Sequence, residues 1–265
     1  MYSVHVELLH GAENRFALLD VRAEASHEDA VYSSIAGAIA GESDGLLVIL
    51  PPTGGESEAD VRMRMFNPDG TEAEMCGNGI RCVARYLEER GEGDSFLIET
   101  RGGTIGARLV SREPYAIETR HPVPSVERER ELRAAGRRWR VVPVSVGNPH
   151  AVVFVDDPDR IEVATFGPAI ERDPSFPEGA NVHFVQVADR STLRVRHWER
   201  GAGATRACGT GIVASAAAAI AAGRVHSPVT VHVPGGTLIV AWNGRTDASL
   251  TGPVEHTGAR DLVVA

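Results

Sequence analysis

Two short segments of the chain share one local pattern, Cys76-Gly77-Asn78-Gly79 and Cys208-Gly209-Thr210-Gly211. Each precedes a helix-like run, so each cysteine falls at a helix start. Backbone N–H groups in a first helical turn lack intrahelical partners, and the macrodipole places partial positive charge there. A cysteine so placed is expected to have its pKa lowered from about 8.5 into the range of roughly 3.5–7.5. The flanking glycines let a ligand approach the backbone, and the same N–H groups suit a carboxylate. Two such turns serving one carbon could take a proton from one face and return one to the other. One sulfur would be thiolate and the other thiol, with the roles exchanging when the reaction reverses.

Blander readings compete with this one. A buried cysteine at a helix start is often just a small hydrophobe, and for a single turn that reading would stand. The repetition of the pattern favours catalysis. A zinc site needs about four ligands; only Cys76, Cys82 and Cys208 exist, and His150 or His197 would have to complete the set without recognisable spacing. No metal is expected. There is no Cys-x-x-Cys, so a disulfide would be an inactivated state rather than the function. Cys82 lies within the first helical run and reads as core.

Composition narrows the chemistry further. The chain has 265 residues, 43% of them hydrophobic and 24% charged, the composition of a globular protein of one large or two medium domains. All 27 of its Lys-plus-Arg residues are arginines. A lysine-free chain forms no Schiff base with pyridoxal phosphate or a carbonyl substrate, and has no P-loop lysine. The formal charge of −9 argues against nucleic-acid or anionic-membrane partners. Three cysteines do not make a secreted disulfide framework. No stretch approaches the roughly 18 apolar residues of a membrane helix, and Met1-Tyr2-Ser3-Val4-His5-Val6 lacks signal-peptide character. A cytoplasmic location is the expectation.

The elements that must position the turns are readable in outline. Val61–Met65 and Leu193–Arg196 alternate apolar and polar residues, as half-buried strands do. Leu46–Leu50 and Val152–Val155 are continuous apolar runs, like strands buried on both faces. Helices are expected over His27–Ala40 with Ser26 as N-cap, over Gly79–Arg90 with Gly91 as the stop, and over Ile212–Ala222. The last is so apolar that it must be a buried central helix. The segment His121–Arg140, with Pro122, Pro124 and the run Glu127–Glu131, reads as a crossover between two halves carrying a solvated loop or hairpin. The halves suggest a two-domain pseudo-repeat, though no strand-level correspondence between them is visible.

Longer blocks around these residues resemble the diaminopimelate epimerase family of pyridoxal-independent epimerases and racemases. Phe66–Cys82 is similar to the family's first cysteine block. Trp198-Glu199-Arg200-Gly201-Ala202-Gly203, with Thr205 and Ala207–Gly211, is similar to the second. Gly147-Asn148-Pro149-His150, Phe176–Val182 and Thr251-Gly252-Pro253 resemble further family motifs. The resemblance implies an α+β fold of two pseudo-symmetric domains, each a sheet wrapped around a central helix, with the active site in the interdomain cleft. The domains would be residues 1–119, to which residues 254–265 return, and residues 120–253. Cys76 and Cys208 would be the acid–base pair. Gly77, Asn78, Gly209 and Thr210 would hold the reacting carboxylate through their N–H groups. Asn14, Asn67, Asn148, Asn181, Glu199 and Arg200 would line the rest of the pocket and recognise the far amino-acid end, where a carboxylate needs donors and an ammonium needs acceptors. Each asparagine alone could be turn chemistry, and Glu199 and Arg200 a solvated strand end. His150 could orient a substrate group or merely cap a strand.

The implied reaction is epimerisation of LL-diaminopimelate to the meso form, on the route to lysine and peptidoglycan, with no cofactor. The partner would be a small amino-acid substrate, with neither nucleic acid nor membrane. The sequence does not fix the oligomeric state, and a homodimer is one option. One block departs from the family pattern. His10-Gly11-Ala12-Glu13-Asn14-Arg15-Phe16 carries Glu13 where the family has Gly and Arg15 where it has Asp, and Gly41-Glu42-Ser43-Asp44-Gly45 is also altered. These changes leave two alternatives open: a related racemase acting on another amino acid, and a non-catalytic amino-acid-binding protein.

Overall fold

The computed structural model describes residues 2–23, 28–54 and 58–264. The chain divides into two compact units, residues 1–119 with 252–265, and residues 120–251. Its elements run β1 (Tyr2–Gly11), β2 (Asn14–Asp20), α1 (Asp29–Ala38), β3 (Gly45–Leu50), β4 (Val61–Phe66), β5 (Glu72–Ala73), α2 (Gly77–Glu89), β6 (Ser95–Thr100), β7 (Gly103–Arg112) and β8 (Tyr115–His121). They continue with β9 (Ser125–Val126), β10 (Arg130–Ala134), β11 (Arg137–Ser145), β12 (Pro149–Phe154), α3 (Val163–Glu171), β13 (Asn181–Val187), β14 (Thr192–Glu199), β15 (Gly203–Thr205), α4 (Gly209–Ala221), β16 (Val229–Val233), β17 (Gly236–Ala241), β18 (Ala248–Pro253) and β19 (Glu255–Val264).

The two units repeat one topology. In the first, β1–β2 is antiparallel, β2–β3 parallel, β3–β4 antiparallel, β4–β6 parallel, and β6–β7 and β7–β8 antiparallel. In the second, the same series runs through β11, β12, β13, β14, β16, β17 and β18. The last strand, β19, pairs antiparallel with β1. The repeat is invisible to side-chain matching because it is conserved in backbone pairing, with different side chains in the corresponding layers.

The first unit is layered around β3, which is buried at every position. Alternate residues of a strand face opposite sides. Leu47 and Ile49 therefore join Ile80, Val83 and Leu87 of α2, while Leu46, Val48 and Leu50 join Tyr32, Ile35 and Ala36 of α1. Strands β1, β2, β3, β4, β6, β7 and β19 all touch α2, so the sheet wraps that helix. In the second unit β9, β11, β12, β13, β14, β16 and β17 touch α4 in the same way. Every residue of α4 from Gly209 to Ala219 is buried, and its alanines let the surrounding strands approach closely. On the other face, Val182 and Phe184 of β13 pack with Val163 and Ile170 of α3. The α+β fold of two wrapped sheets is thus present, with a second, outer helix in each unit.

Some boundaries differ from the sequence expectation. Helix α1 spans Asp29–Ala38, with Glu28 at the N-cap making no side-chain bond; Ser26 and His27 lie outside the described residues. Helix α2 begins at Gly77, directly after Cys76, and Gly91 (φ +76°) follows its end. Helix α3 had no sequence signal because Gly167 and Pro168 interrupt its interior. The mixed-charge segment forms the β10–β11 hairpin, whose tip Ala135-Gly136 is left-handed at both residues. That is the geometry a two-residue hairpin prefers.

Two helical glycines should respond in opposite ways to alanine. A Cβ at Gly167 would fall 2.4 Å from Trp198 Cγ, whereas one at Gly37 would meet nothing nearer than Pro68 O at 4.0 Å. Gly167→Ala should destabilise by about 1–3 kcal/mol through overpacking. Gly37→Ala should stabilise by about 0.5–1 kcal/mol through helix propensity. Urea denaturation of both variants checks the pair, and equal effects would contradict the packing described.

Candidate active site

Each cysteine occupies the N-cap of its helix in extended backbone, Cys76 at φ −141°, ψ 109° and Cys208 at φ −123°, ψ 107°. Each helix is seated on a strand through its second glycine. A Cβ at Gly79 would lie 2.7 Å from Leu47 Cδ2, and one at Gly211 would lie 2.2 Å from His183 Cε1. No larger residue leaves these first turns where they are. The N–H groups of Gly77 and Asn78, and of Gly209 and Thr210, belong to first turns whose donors have no intrahelical acceptor.

In the first unit Cys76 Sγ accepts from the Gly79 N–H at 3.4 Å. Asn78 is buried and ties two elements together: its Nδ2 donates to Asn14 Oδ1 at 3.3 Å, and its Oδ1 accepts from Arg81 Nη2 at 2.7 Å. Gly11 lies against the same turn, where a Cβ would meet Asn78 O at 3.0 Å. The tip of the β1–β2 hairpin therefore rests on the start of α2. Ala12 (φ 52°) and Glu13 (φ 59°) at that tip are both left-handed. The Arg15 N–H donates to Asp44 Oδ2 at 2.7 Å, so the two segments that depart from the family pattern are bonded to each other.

Arg81 was not foreseen as a site residue. It is fully buried, and its Nε and Nη1 have no hydrogen-bond partner among the described residues. Desolvation disfavours its charge, and negative charge at Cys82 or Cys76 would favour it. Cys82 is core, as expected, and burial pushes its thiol well up. Asn67 Nδ2 donates to Thr71 Oγ1 at 2.9 Å within a tight turn.

In the second unit Cys208 is buried, 3.8 Å from Thr210 Oγ1. Burial first, then the charge of Glu199 and a hydrogen bond to it, push the Cys208 thiol well above the ordinary value. This corrects the expectation that a helix N-terminus lowers both thiols; at Cys208 desolvation and a carboxylate outweigh the helix end. Burial also raises the Glu199 carboxyl, against bonds from Thr205 and Cys208 that lower it. Glu199, expected at the far end of the substrate, accepts from Thr205 Oγ1, and its charge also bears on the Cys208 sulfur.

The other expected residues of this unit form one bonded group. Asn181 Nδ2 donates to Pro149 O at 3.3 Å, and its Oδ1 accepts from the Arg200 N–H at 3.0 Å. The exposed Arg200 guanidinium donates to Glu178 O at 2.6 Å. Asn148 Oδ1 bonds His150 Nε2 at 2.8 Å. His150 continues into a row that sequence reading missed: His150 Nδ1 to His183 Nε2 at 2.8 Å, and His183 Nδ1 to His197 Nδ1 at 2.8 Å. The available signal was strand register. His183 lies two residues beyond Asn181, on the same face, and is paired directly with His197. Burial is the leading cause that pushes His150 and His197 down to about 3, and His183 lower than its ordinary value as well. Among the described residues no group of His, Cys, Asp or Glu is arranged to hold a metal, and no helix is long and apolar enough to cross a membrane.

Comparison with known proteins decides the lineage. The family described as diaminopimelate epimerase matches residues 7–120 and 142–257. The chain belongs to the diaminopimelate epimerase family. A diaminopimelate epimerase of Moorella thermoacetica is 40% identical over 91% of this chain and 92% of its own length. One from a Synechococcus strain is 43% identical over 81% of each. A phenazine biosynthesis protein of the PhzF family from Bacillus anthracis shares the fold, with a TM-score of 0.77 at 18% identity over the whole of both chains. A hydroxyproline epimerase from Agrobacterium vitis does so at a TM-score of 0.72 and 17% identity, covering 99% of this chain and 91% of that one. Both cysteine turns lie within the matched residues, and each opens the central helix of its unit.

The buried histidine row makes stability depend on pH. Unfolded histidines bind protons below about 6.5, whereas the folded row stays neutral until about 3. The unfolded state then binds more protons, so stability is full above about pH 6.5 and falls as pH drops toward 3. Each histidine contributes a slope of up to about 1.4 kcal/mol per pH unit. Urea melts between pH 7.5 and 5, above most carboxylate titration, should show this decline; a flat profile there would contradict it.

Proposed function

We propose that this protein epimerises LL-diaminopimelate to the meso form by two-base proton transfer, without a cofactor. The observation that carries the proposal is the unequal setting of the two cysteines. Cys76 accepts an N–H bond near the buried guanidinium of Arg81, while Cys208 is buried against the Glu199 carboxyl. Such a difference favours a pair that begins as one thiolate and one thiol.

In this reading Cys76 takes the α-proton and Cys208 delivers one to the opposite face. The N–H groups of Gly77, Asn78, Gly209 and Thr210 hold the adjacent carboxylate, onto which the carbanion's charge spreads. Donors fixed before the reaction stabilise that charge without reorganising, and losing one such donor typically costs about 10²–10³ in rate. After transfer Cys76 is the thiol and Cys208 the thiolate, which is the starting state for the reverse direction. Glu199 accepts from the ammonium at the far end. Arg200, Asn148 and the remaining N–H of Asn181 serve the far end, with Asn14 and Asn67 completing the pocket. A cytoplasmic enzyme acting on a small amino acid, with neither nucleic acid nor membrane as partner, goes with this reading.

The test is deuterium incorporation at the α-carbon of LL-diaminopimelate in D₂O under fresh reductant, followed by mass spectrometry and chiral chromatography. Exchange with formation of the meso isomer is expected, and Cys76→Ala and Cys208→Ala should each abolish it. Full activity in either variant would sink the two-base assignment. Binding that raises the melting temperature without any exchange would point to a non-catalytic binding protein.

One observation favours a second reading, a related racemase with another amino-acid substrate. The hairpin tip beside Asn14 holds two non-glycine residues, Ala12 and Glu13, in left-handed backbone. Strain of this kind collects at functional sites. If the tip is only scaffold, Glu13→Gly should stabilise the protein by about 1 kcal/mol and leave diaminopimelate turnover within about twofold. A panel in which only amino acids with a single ammonium–carboxylate end react would establish the racemase instead.

A further inference from the structure

The row of three histidines joins the Asn148 turn to the strands beneath the first turn of α4. His150, His183 and His197 sit on the adjacent strands β12, β13 and β14. All three are buried. Their bonds form a single line from Asn148 Oδ1 through His150 and His183 to His197 Nδ1, each at 2.8 Å. The middle ring lies under the first turn of α4, where Gly211 leaves room for it. The ring cannot turn over without lifting that turn.

A neutral imidazole donates from one nitrogen and accepts at the other. A line of neutral rings therefore has only two proton arrangements. In one, His150 Nε2–H donates to Asn148 Oδ1, His183 Nε2–H donates to His150 Nδ1, and His197 Nδ1–H donates to His183 Nδ1. His197 Nε2 is then a bare acceptor. In the other, every bond reverses, Asn148 Nδ2 donates to His150, and His197 Nε2 carries a proton. His197 Nε2 is buried and has no hydrogen-bond partner. Genuinely orphaned buried N–H groups are rarer than under-used acceptors, which selects the first arrangement. It engages Asn148 Oδ1 and leaves both Nδ2 hydrogens of the half-exposed Asn148 without an acceptor among the described residues.

We propose that His150, His183 and His197 are positioning residues that fix the orientation of the Asn148 amide, so that Asn148 presents its N–H₂ end and selects a carboxylate on the substrate. The proposal rests on the function proposed above for its substrate, and on the geometry of the second unit for the chain itself. The row moves no proton in turnover, because the asparagine at its end cannot take one.

Two measurements test it separately. Nitrogen-15 spectra of the full chain with labelled histidine, recorded without substrate, should show His150 and His183 protonated at Nε2 and His197 at Nδ1. The opposite set, or a charged ring near neutral pH, overturns the proposal whatever the enzyme turns over. In kinetics on diaminopimelate, His150→Phe should raise KM on the order of tenfold, the scale of one lost hydrogen bond, with kcat within about threefold. His150→Gln, whose amide nitrogen reaches the Nε2 position, should restore most of that loss, and the shorter His150→Asn should not. His150→Phe added to Asn148→Ala should raise KM no further than Asn148→Ala alone. Independent, additive losses would mean a general packing role and overturn the proposal. Should His150→Phe fail to fold, the contrast between the Gln and Asn variants decides. If the wild type does not turn over diaminopimelate, the functional reading fails while the spectrum still decides the chain.

Discussion

Everything at the candidate site depends on two glycines that let a helix end sit directly on a strand. With Gly79 against Leu47 and Gly211 against His183, the first turns of α2 and α4 pack closer to their strands than a residue with a Cβ would allow without displacement. Their unpaired N–H groups are consequently fixed in direction before any ligand arrives. The cysteines inherit that placement because each is the N-cap residue, held extended where the chain enters the helix. The wrapped sheets supply the opposing pressure: strands on several sides of each helix leave it nowhere to retreat. Preorganisation here is a packing property of the whole unit, delivered through one missing methyl group per turn.

The same backbone device is then given opposite electrostatic surroundings. Beside Cys76 the polar groups are an amide and a buried guanidinium, Asn78 and Arg81, joined at 2.7 Å. Beside Cys208 they are a carboxyl and a hydroxyl, Glu199 and Thr210. Arg81 occupies the fifth position of α2, and the corresponding position of α4 is the apolar Val213. The pseudo-repeat thus keeps its topology and breaks its symmetry in the side chains that touch sulfur.

The parts of this arrangement written in local sequence were legible, and the parts written in register were not. Cys-Gly-x-Gly before an apolar run signals a capped helix without tertiary help, so Cys76, Cys208 and both central helices could be located. The run Leu46–Leu50 announced burial on two faces, and β3 is buried at every position. Asn78, Asn148 and His150 could be singled out, but the bonding partners Arg81 and His183 lie inward, where a single sequence does not say which way a side chain turns. The histidine row is dispersed over three strands whose pairing only the fold defines. The sign of the effect at Cys208 was missed for a related reason: a helix end is a local feature, whereas the Glu199 carboxyl and the burial that override it come from elsewhere in the chain.

The pairing of β1 with β19 has a consequence for how the molecule is made. Val4 lies opposite Leu262 and Val6 opposite Arg260, so one unit is closed by residues from both ends of the chain. The other unit is continuous in sequence. On a ribosome the continuous unit is synthesised in full before the last strand of the interrupted one is translated. Until then β1 presents an unpaired edge, the kind of edge that invites association with other chains. The order of synthesis therefore makes the sequence-interrupted unit the slower to complete, and places its vulnerability at β1, far in sequence from the residues whose arrival ends it.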